Sequence, residues 1–410
     1  MPSDAGANRI ETAASKEKPT RMLVLFVLAH WGHHLLSSVV PPLLPFIRSD
    51  LDISVAQAGA LVSAFTIAYG VSQLPSGWLA DRLGRRMLVL LGVSGVAVWG
   101  VLVGVFPTYG LMMTFMVLLG LFGGGYHPAS APSVSALVEP QRRGWALGIH
   151  QIGGTLSNLS APLIAAGLAT YISWRTAFIL PGAMVIVLGI VLYVLMGRTK
   201  LAATGSAKAT EATGGQHVHS RSKIVLYIII GTAAQVFMLS VAAFMPLFMV
   251  DRLHESKGLA AALQAVIYLG GMPAGPIAGY LSDRIGASKV LMVAALVAGP
   301  AIFLFNAATS LWAGIPLLLI IGAMLFTIMP VSEAYIIGHT PEAGRSTVMG
   351  VYYAASRGGS GFLTLGIGFL VGRLGYPSTF AIAGAALFAI VGVCGSFVWA
   401  GRKQSSTANV

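Results

Sequence analysis

Apolar residues run along this chain in long blocks, with neither the alternation of a half-buried strand nor the narrow stripe of a surface helix. A helix crosses a bilayer core with about 20 apolar residues, more when tilted. On that rule the pattern predicts twelve crossings: 22–47, 55–79, 87–106, 109–138, 143–170, 176–196, 223–250, 257–281, 289–306, 309–338, 345–371 and 377–400. The longest polar interruption, 197–222, is rich in Ala, Gly, Thr, Ser and charge and reads as a flexible linker. The expected organisation is therefore a tail (1–21), a six-helix bundle (22–196), the linker, a second six-helix bundle (223–400) and a tail (401–410). The first block is long, holds histidines and lacks a small-residue cleavage site, so it reads as a crossing and not as a removed leader.

Composition supports a polytopic all-α membrane protein: 56% of the 410 residues are hydrophobic and mean hydropathy is +0.81. Fifty glycines suit close helix packing in lipid. The net charge of +12 would suggest nucleic acid, but the basic residues are spread over short loops and act as topology signals. Nineteen Lys and Arg fall on the side holding both termini and the linker, five on the other, and Arg357 lies inside a crossing. Both termini are thus expected in the cytoplasm. Trp174 and Trp312 read as interface anchors. Cys394 is alone, so no intramolecular disulfide forms.

The loop after the second crossing reads G-W-L-A-D-R-L-G-R-R from Gly77 to Arg86. It returns 202 residues later as G-Y-L-S-D-R-I-G-A-S, from Gly279 to Ser288. The same offset carries Arg21 to Lys223, Pro128 and Ser130 to Pro330 and Ser332, and Arg143 and Gly148 to Arg345 and Gly350. An unslipped register of this length indicates two homologous halves. The loop resembles the loop-2/3 signature of the major facilitator superfamily. That resemblance implies two pseudo-symmetric bundles of six helices and transport by alternating access. It also implies a gating latch on the cytoplasmic side. There Asp81 would face the positive N-terminal end of span eleven near Gly344–Ser346, and Asp283 the start of span five near Gly144. Gly77, Arg82, Gly84, Arg85, Arg86, Glu139, Arg142, Arg284, Glu342 and Arg345 complete the expected latch, though a plain topogenic loop would look the same.

Ionisable groups deep in a crossing cost about 2.5–3.5 kcal/mol on insertion scales and need a reason to be there. At ~1.5 Å per residue, His33, His127 and Arg357 each lie ~18 Å from the nearest cytoplasmic charge, near the midplane. Polar stripes accompany them. Gln151, Thr155 and Asn158 share one face of span five, and the repeat places Tyr353, Arg357 and Ser360 on the same face of span eleven. Span one contributes His30, His34 and Ser37, with His33 beside them, and span eight Gln264 and Tyr268. Such faces belong on a water-filled cavity. The expected substrate contacts are Arg357, His33, His34, His127, Gln151, Asn158, Tyr353, Gln264 and Tyr268; the expected proton carriers are His33, His34, His127 and Glu333. Arg357 and Glu333 could instead form a structural ion pair, and His127, before Pro128, could be a hinge residue.

Three cargoes fit. A small organic anion, carboxylate or phosphonate, suits the planar fork of Arg357, with histidines carrying a coupled proton. Drug efflux by proton antiport is suggested by Y-H-P in span four and G-I-H-Q-I-G-G in span five, which resemble the fosmidomycin-resistance branch. Against it, Met116 stands near the position where that class has an Arg, and Gly153-Gly154 replaces its G-P pair, with Pro162 far away. Metal or metal-chelate transport ranks last: His30, His34 and His127 could make a nitrogen site, but no carboxylate joins them, so no metal is assigned. No G-x-x-x-x-G-K-[ST] loop is present, so neither ATP nor another cofactor is expected. The reading is of a monomeric, non-enzymatic inner-membrane protein whose partners are a small solute, protons and lipid, with no nucleic acid.

Overall fold

The computed structural model describes residues 4–139, 143–198, 221–339 and 342–407, all of its regular elements helical. Helices α1 (Asp4–Ser38) and α2 (Val40–Leu51) make the first crossing. They meet at a bend where Pro41 and Pro42 occupy the first turn of α2, the one place where a missing N–H costs nothing. α3 (Val55–Leu83) opens on a capping box between Ser54 and Gln57. The third crossing is α4 (Arg85–Leu90), a π-turn at Leu91–Gly95, and α5 (Val96–Val105). The fourth is α6 (Tyr109–Gly123) followed by α7 (Tyr126–Ser135), and the fifth and sixth are α8 (Arg143–Tyr171) and α9 (Thr176–Arg198).

The second half repeats this plan. α10 (Arg221–Ala242) and α11 (Met245–Leu253) form one broken crossing, followed by α12 (Lys257–Ile285), α13 (Ala287–Asn306) and α14 (Leu311–His339). α15 runs over Glu342–Thr407 but breaks at Gly375, whose φ of 75° is not helical. Its apolar part, Val351–Phe397, is 47 residues, about two crossings' worth. Among the described residues there are eleven continuous apolar helical segments, and the break makes twelve crossings of them. α1 starts well upstream of the expected crossing, at Asp4.

Packing follows the repeat. α1 lies on α8 as α10 lies on α15, α3 on α6 as α12 on α14, and α5 on α6 as α13 on α14. The offset of 202 holds down to contacting residue pairs. Ser38 Oγ donates to Asn158 Oδ1 at 2.9 Å, and Ser240 Oγ to the Ser360 carbonyl at 2.8 Å. A Cβ on Gly120 would strike the Phe65 carbonyl, and one on Gly322 the Ile267 carbonyl, so both helix pairs approach as closely as only glycine allows. Gly84 and Gly286, in the two motif loops, have φ of 81° and 93°, the left-handed region that lets each chain turn from one helix into the next.

The halves meet through α3 on α15 and α8 on α12. At the end away from the motif loops, Arg48 of the first half pairs with Asp251 of the second, and Tyr376 donates to the same carboxylate oxygen at 2.9 Å. Nearby, Asp50 accepts from Arg175 at 2.7 Å and from the Trp174 indole at 3.2 Å. Trp174 is therefore buried and hydrogen-bonded, unlike the anchor expected of it, whereas Trp312 is 87% exposed.

Candidate functional site

A cavity of about 350 Å³ lies between the halves, walled by α1, α2, α3, α7 and α8 on one side and α10, α12, α14 and α15 on the other. Of the expected contacts, Arg357, His34, His127, Gln151, Asn158, Gln264 and Tyr268 line it, as does Glu333. His30, Ser37, Thr155 and Ser360 from the polar stripes also reach it.

His33 and Tyr353 are not on its wall. His33 is fully buried and both ring nitrogens are engaged. Nδ1 donates to the Gly92 carbonyl at 2.7 Å, and Nε2 accepts from the Tyr69 hydroxyl at 3.3 Å. Gly92 sits in the π-turn, where the widened helix frees a carbonyl for an outside donor. His33 thus ties the first crossing to the second and third. Tyr353 lies close enough to Glu333 to interact with it, so it bears on the cavity through that carboxyl.

Arg357 and Glu333 face the same space, yet no ion pair within 4.0 Å joins them among the described residues. The Arg357 guanidinium makes no hydrogen bond there either. Oε1 of Glu333 is buried without a hydrogen-bond partner. Among the described residues the five donors of Arg357 are unspent, and a guanidinium so placed has the chemistry to pair with a carboxylate or phosphonate.

The first-half wall is a histidine cluster. His30 and His34 stand 4.8 Å apart by ring centroids, and His127 lies 5.3 Å from each. His150 stacks on His30 at 4.3 Å, and Tyr126 on His33 at 4.5 Å. His30 donates Nδ1–H to the His150 carbonyl at 2.9 Å, leaving its Nε2 buried and unpartnered.

Tyr69, Thr66 and Gln235 also wall the cavity, although none stands in a polar stripe of the sequence. Gln235 was within reach, since it stands 202 residues after His33. Tyr69 was not: its repeat partner is Gly271, and an aromatic in an apolar run carries no polar signal.

The motif residues expected in loops instead close the last turns of α3 and α12, where the Arg82 guanidinium lies 4.3 Å from the Trp78 ring and that of Arg284 4.7 Å from Tyr280, an i, i+4 cation–π pair repeated in both halves. Arg86 stacks on Tyr193 at 3.7 Å and donates to its carbonyl at 2.8 Å. Arg85 is half-buried and Glu139 exposed. Arg142 lies outside the described residues, as do the side chains of Asp81, Asp283, Glu342 and Arg345 and the surroundings of Gly77.

The family model of the Major Facilitator Superfamily matches residues 26–272 and 226–409. The chain is 29% identical over 195 residues to a protein described as a probable L-galactonate transporter of Escherichia coli K12, covering 48% of this chain and 43% of that one. It is 28% identical over 269 residues to the multidrug resistance protein MdtG of Enterobacter lignolyticus, covering 63% and 64%. The chain thus spans less than two thirds of these curated relatives. A crystal structure of a POT family transporter in complex with 5-aminolevulinic acid superposes with a TM-score of 0.79 at 15% identity, covering 92% of this chain and 96% of the other.

Proposed function

The chain belongs to the major facilitator superfamily, and from that premise we propose that it is a secondary transporter of a small organic anion, carboxylate or phosphonate in type, working by alternating access. The observation that carries this is Arg357: a guanidinium with no ion-pair partner within 4.0 Å among the described residues, opening onto a cavity that both halves wall. An Arg at membrane depth costs about 2.5–3.5 kcal/mol on insertion scales, and a paired anion offsets part of that cost. The repeat partner of Arg357 is Thr155, so the charge comes from one half only. An anion held there draws the second half toward Gln151 and Asn158 of the first, which is a closing motion. Glu333, buried with one oxygen unpartnered, is the carboxyl best placed to carry a coupled proton, since Arg357 and the cavity lie beside it. His34 and His127 wall the same cavity. His33, locked by two hydrogen bonds, serves the packing.

Supporting this reading, one relative is described as a probable L-galactonate transporter, and galactonate is a carboxylate. Drug efflux remains the second reading, favoured by the resemblance to MdtG. Binding and uptake of galactonate and of a phosphonate by purified, reconstituted protein separate the two. Arg357→Lys keeps the charge and loses the bidentate fork, so anion transport falls at least tenfold. The double variant Arg357→Ala with Glu333→Ala is the stricter test. If it transports anions as the parent does, the two residues are a dispensable pair and the anion reading fails.

The latch assigned to Asp81 and Asp283 belongs to the same proposal, with the cytoplasmic placement of both termini. The repeated stacking of Arg82 on Trp78 and Arg284 on Tyr280 supports a common role for the two loops.

A further inference from the structure

The histidine cluster does more than line a wall. The nitrogens of His30, His34 and His127 lie within 4.8 Å of one another. A tetrahedral ion with metal–nitrogen bonds of about 2.0–2.1 Å holds its ligands about 3.4 Å apart, so small rotations of the three rings close the distance. His30 is prepared for such a bond. Its Nδ1–H is spent on the His150 carbonyl, which fixes the tautomer and points the Nε2 lone pair at no protein donor, in a residue only 2% exposed. A backbone carbonyl behind the imidazole is the usual support of a metal-binding histidine. His34 and His127 make no side-chain hydrogen bond among the described residues, and both reach the cavity.

We infer that His30, His34 and His127 form a three-nitrogen site for a borderline divalent transition-metal ion of the Zn2+ class, with its open coordination position facing the central cavity. Neutral imidazoles suit Zn2+, Ni2+ and Cu2+ and disfavour Mg2+ and Ca2+, which take oxygen. Among the described residues no carboxylate joins the three rings, and Arg357 opens onto the same cavity, so a bound dication keeps its full charge near another cation. An anion between them offsets both. The cargo chemistry this favours is an organic acid already chelating the metal, its carboxylate toward Arg357 and its metal toward the histidines. That extension rests on the anion reading; the metal site itself does not.

The test uses Co2+ as the probe, on the full chain in lipid nanodiscs, with no histidine tag and with His217→Ala and His219→Ala removing the linker histidines. One Co2+ per chain is expected, with the strong visible absorption of a four-coordinate site, displaced by Zn2+ and not by Mg2+. His34→Ala or His127→Ala weakens binding at least about 100-fold, beyond the 10–100-fold cost of losing a supporting group. His127→Cys restores a ligand and adds a thiolate-to-cobalt charge-transfer band, which a purely structural histidine could not give. Absence of Co2+ binding in the parent, or a spectrum unchanged in both His34→Ala and His127→Cys, overturns the site. Neither result touches galactonate binding by Arg357, so the two readings fail separately.

Discussion

Replacing Asp251 by Asn keeps the side chain's shape and removes the charge that gathers two partners at the end of the molecule away from the motif loops. Arg48 comes from the first half and Tyr376 from the second, and both meet the same oxygen. The side chains of Arg48 and Asp251 are 33% and 26% exposed, so the pair is neither solvated nor fully buried. Exposed pairs contribute up to ~1 kcal/mol, and hydrogen bonds to a charged group about 1.5–3 kcal/mol. Discounting for solvent, about 1.5 kcal/mol serves for the Asp251 contacts together. Every ~1.4 kcal/mol is a tenfold change in an equilibrium. If this contact holds that end closed, the ratio of closed to open conformers there falls about tenfold. Spin labels at Ser49→Cys and Arg252→Cys, both exposed and on opposite halves, report the separation in a Cys394→Ser background. The long-distance population should grow in Asp251→Asn and equally in Arg48→Gln, and the double variant should add little, because both remove one interaction. Distance distributions identical to the parent in both single variants refute the reasoning.

The close approach of α3 to α6 and of α12 to α14 is equally open to test. Gly120→Ala or Gly322→Ala forces a methyl onto a facing carbonyl and should cost about 1–3 kcal/mol, read as a lower melting temperature in nanodiscs; an unchanged melt in both denies the symmetric contact. His33 and His34 are sequence neighbours with opposite expected behaviour. His33→Ala strands the Gly92 carbonyl and the Tyr69 hydroxyl and should destabilise by about 1–3 kcal/mol, while His34→Ala leaves the melt near that of the parent and alters cavity chemistry. Equal melting shifts in the two would contradict the placement of His33 off the cavity.

Crossings, their number and the internal repeat were all legible in the chain, because lipid demands about 20 apolar residues per helix whatever their neighbours do. The offset of 202 residues was legible from the repeated motif, and the structure adds contacts at the same offset that the chain alone did not show: Ser38 with Asn158 and Ser240 with Ser360, Arg82 on Trp78 and Arg284 on Tyr280. The polar stripes also pointed to the cavity, since a polar face inside a crossing must turn away from lipid. Depth, however, is a one-dimensional coordinate. His33 and His34 lie at nearly the same depth, and only packing decides that one ring points at the π-turn carbonyl of Gly92 and the other into the cavity. The relation of Arg357 to Glu333 is likewise tertiary, because residues on adjacent helices can share a cavity without coming within 4.0 Å. The grouping of His30, His34 and His127 needed both levels: spacing of four residues put the first two on one helix face, and the packing of α1 against α7 supplied the third.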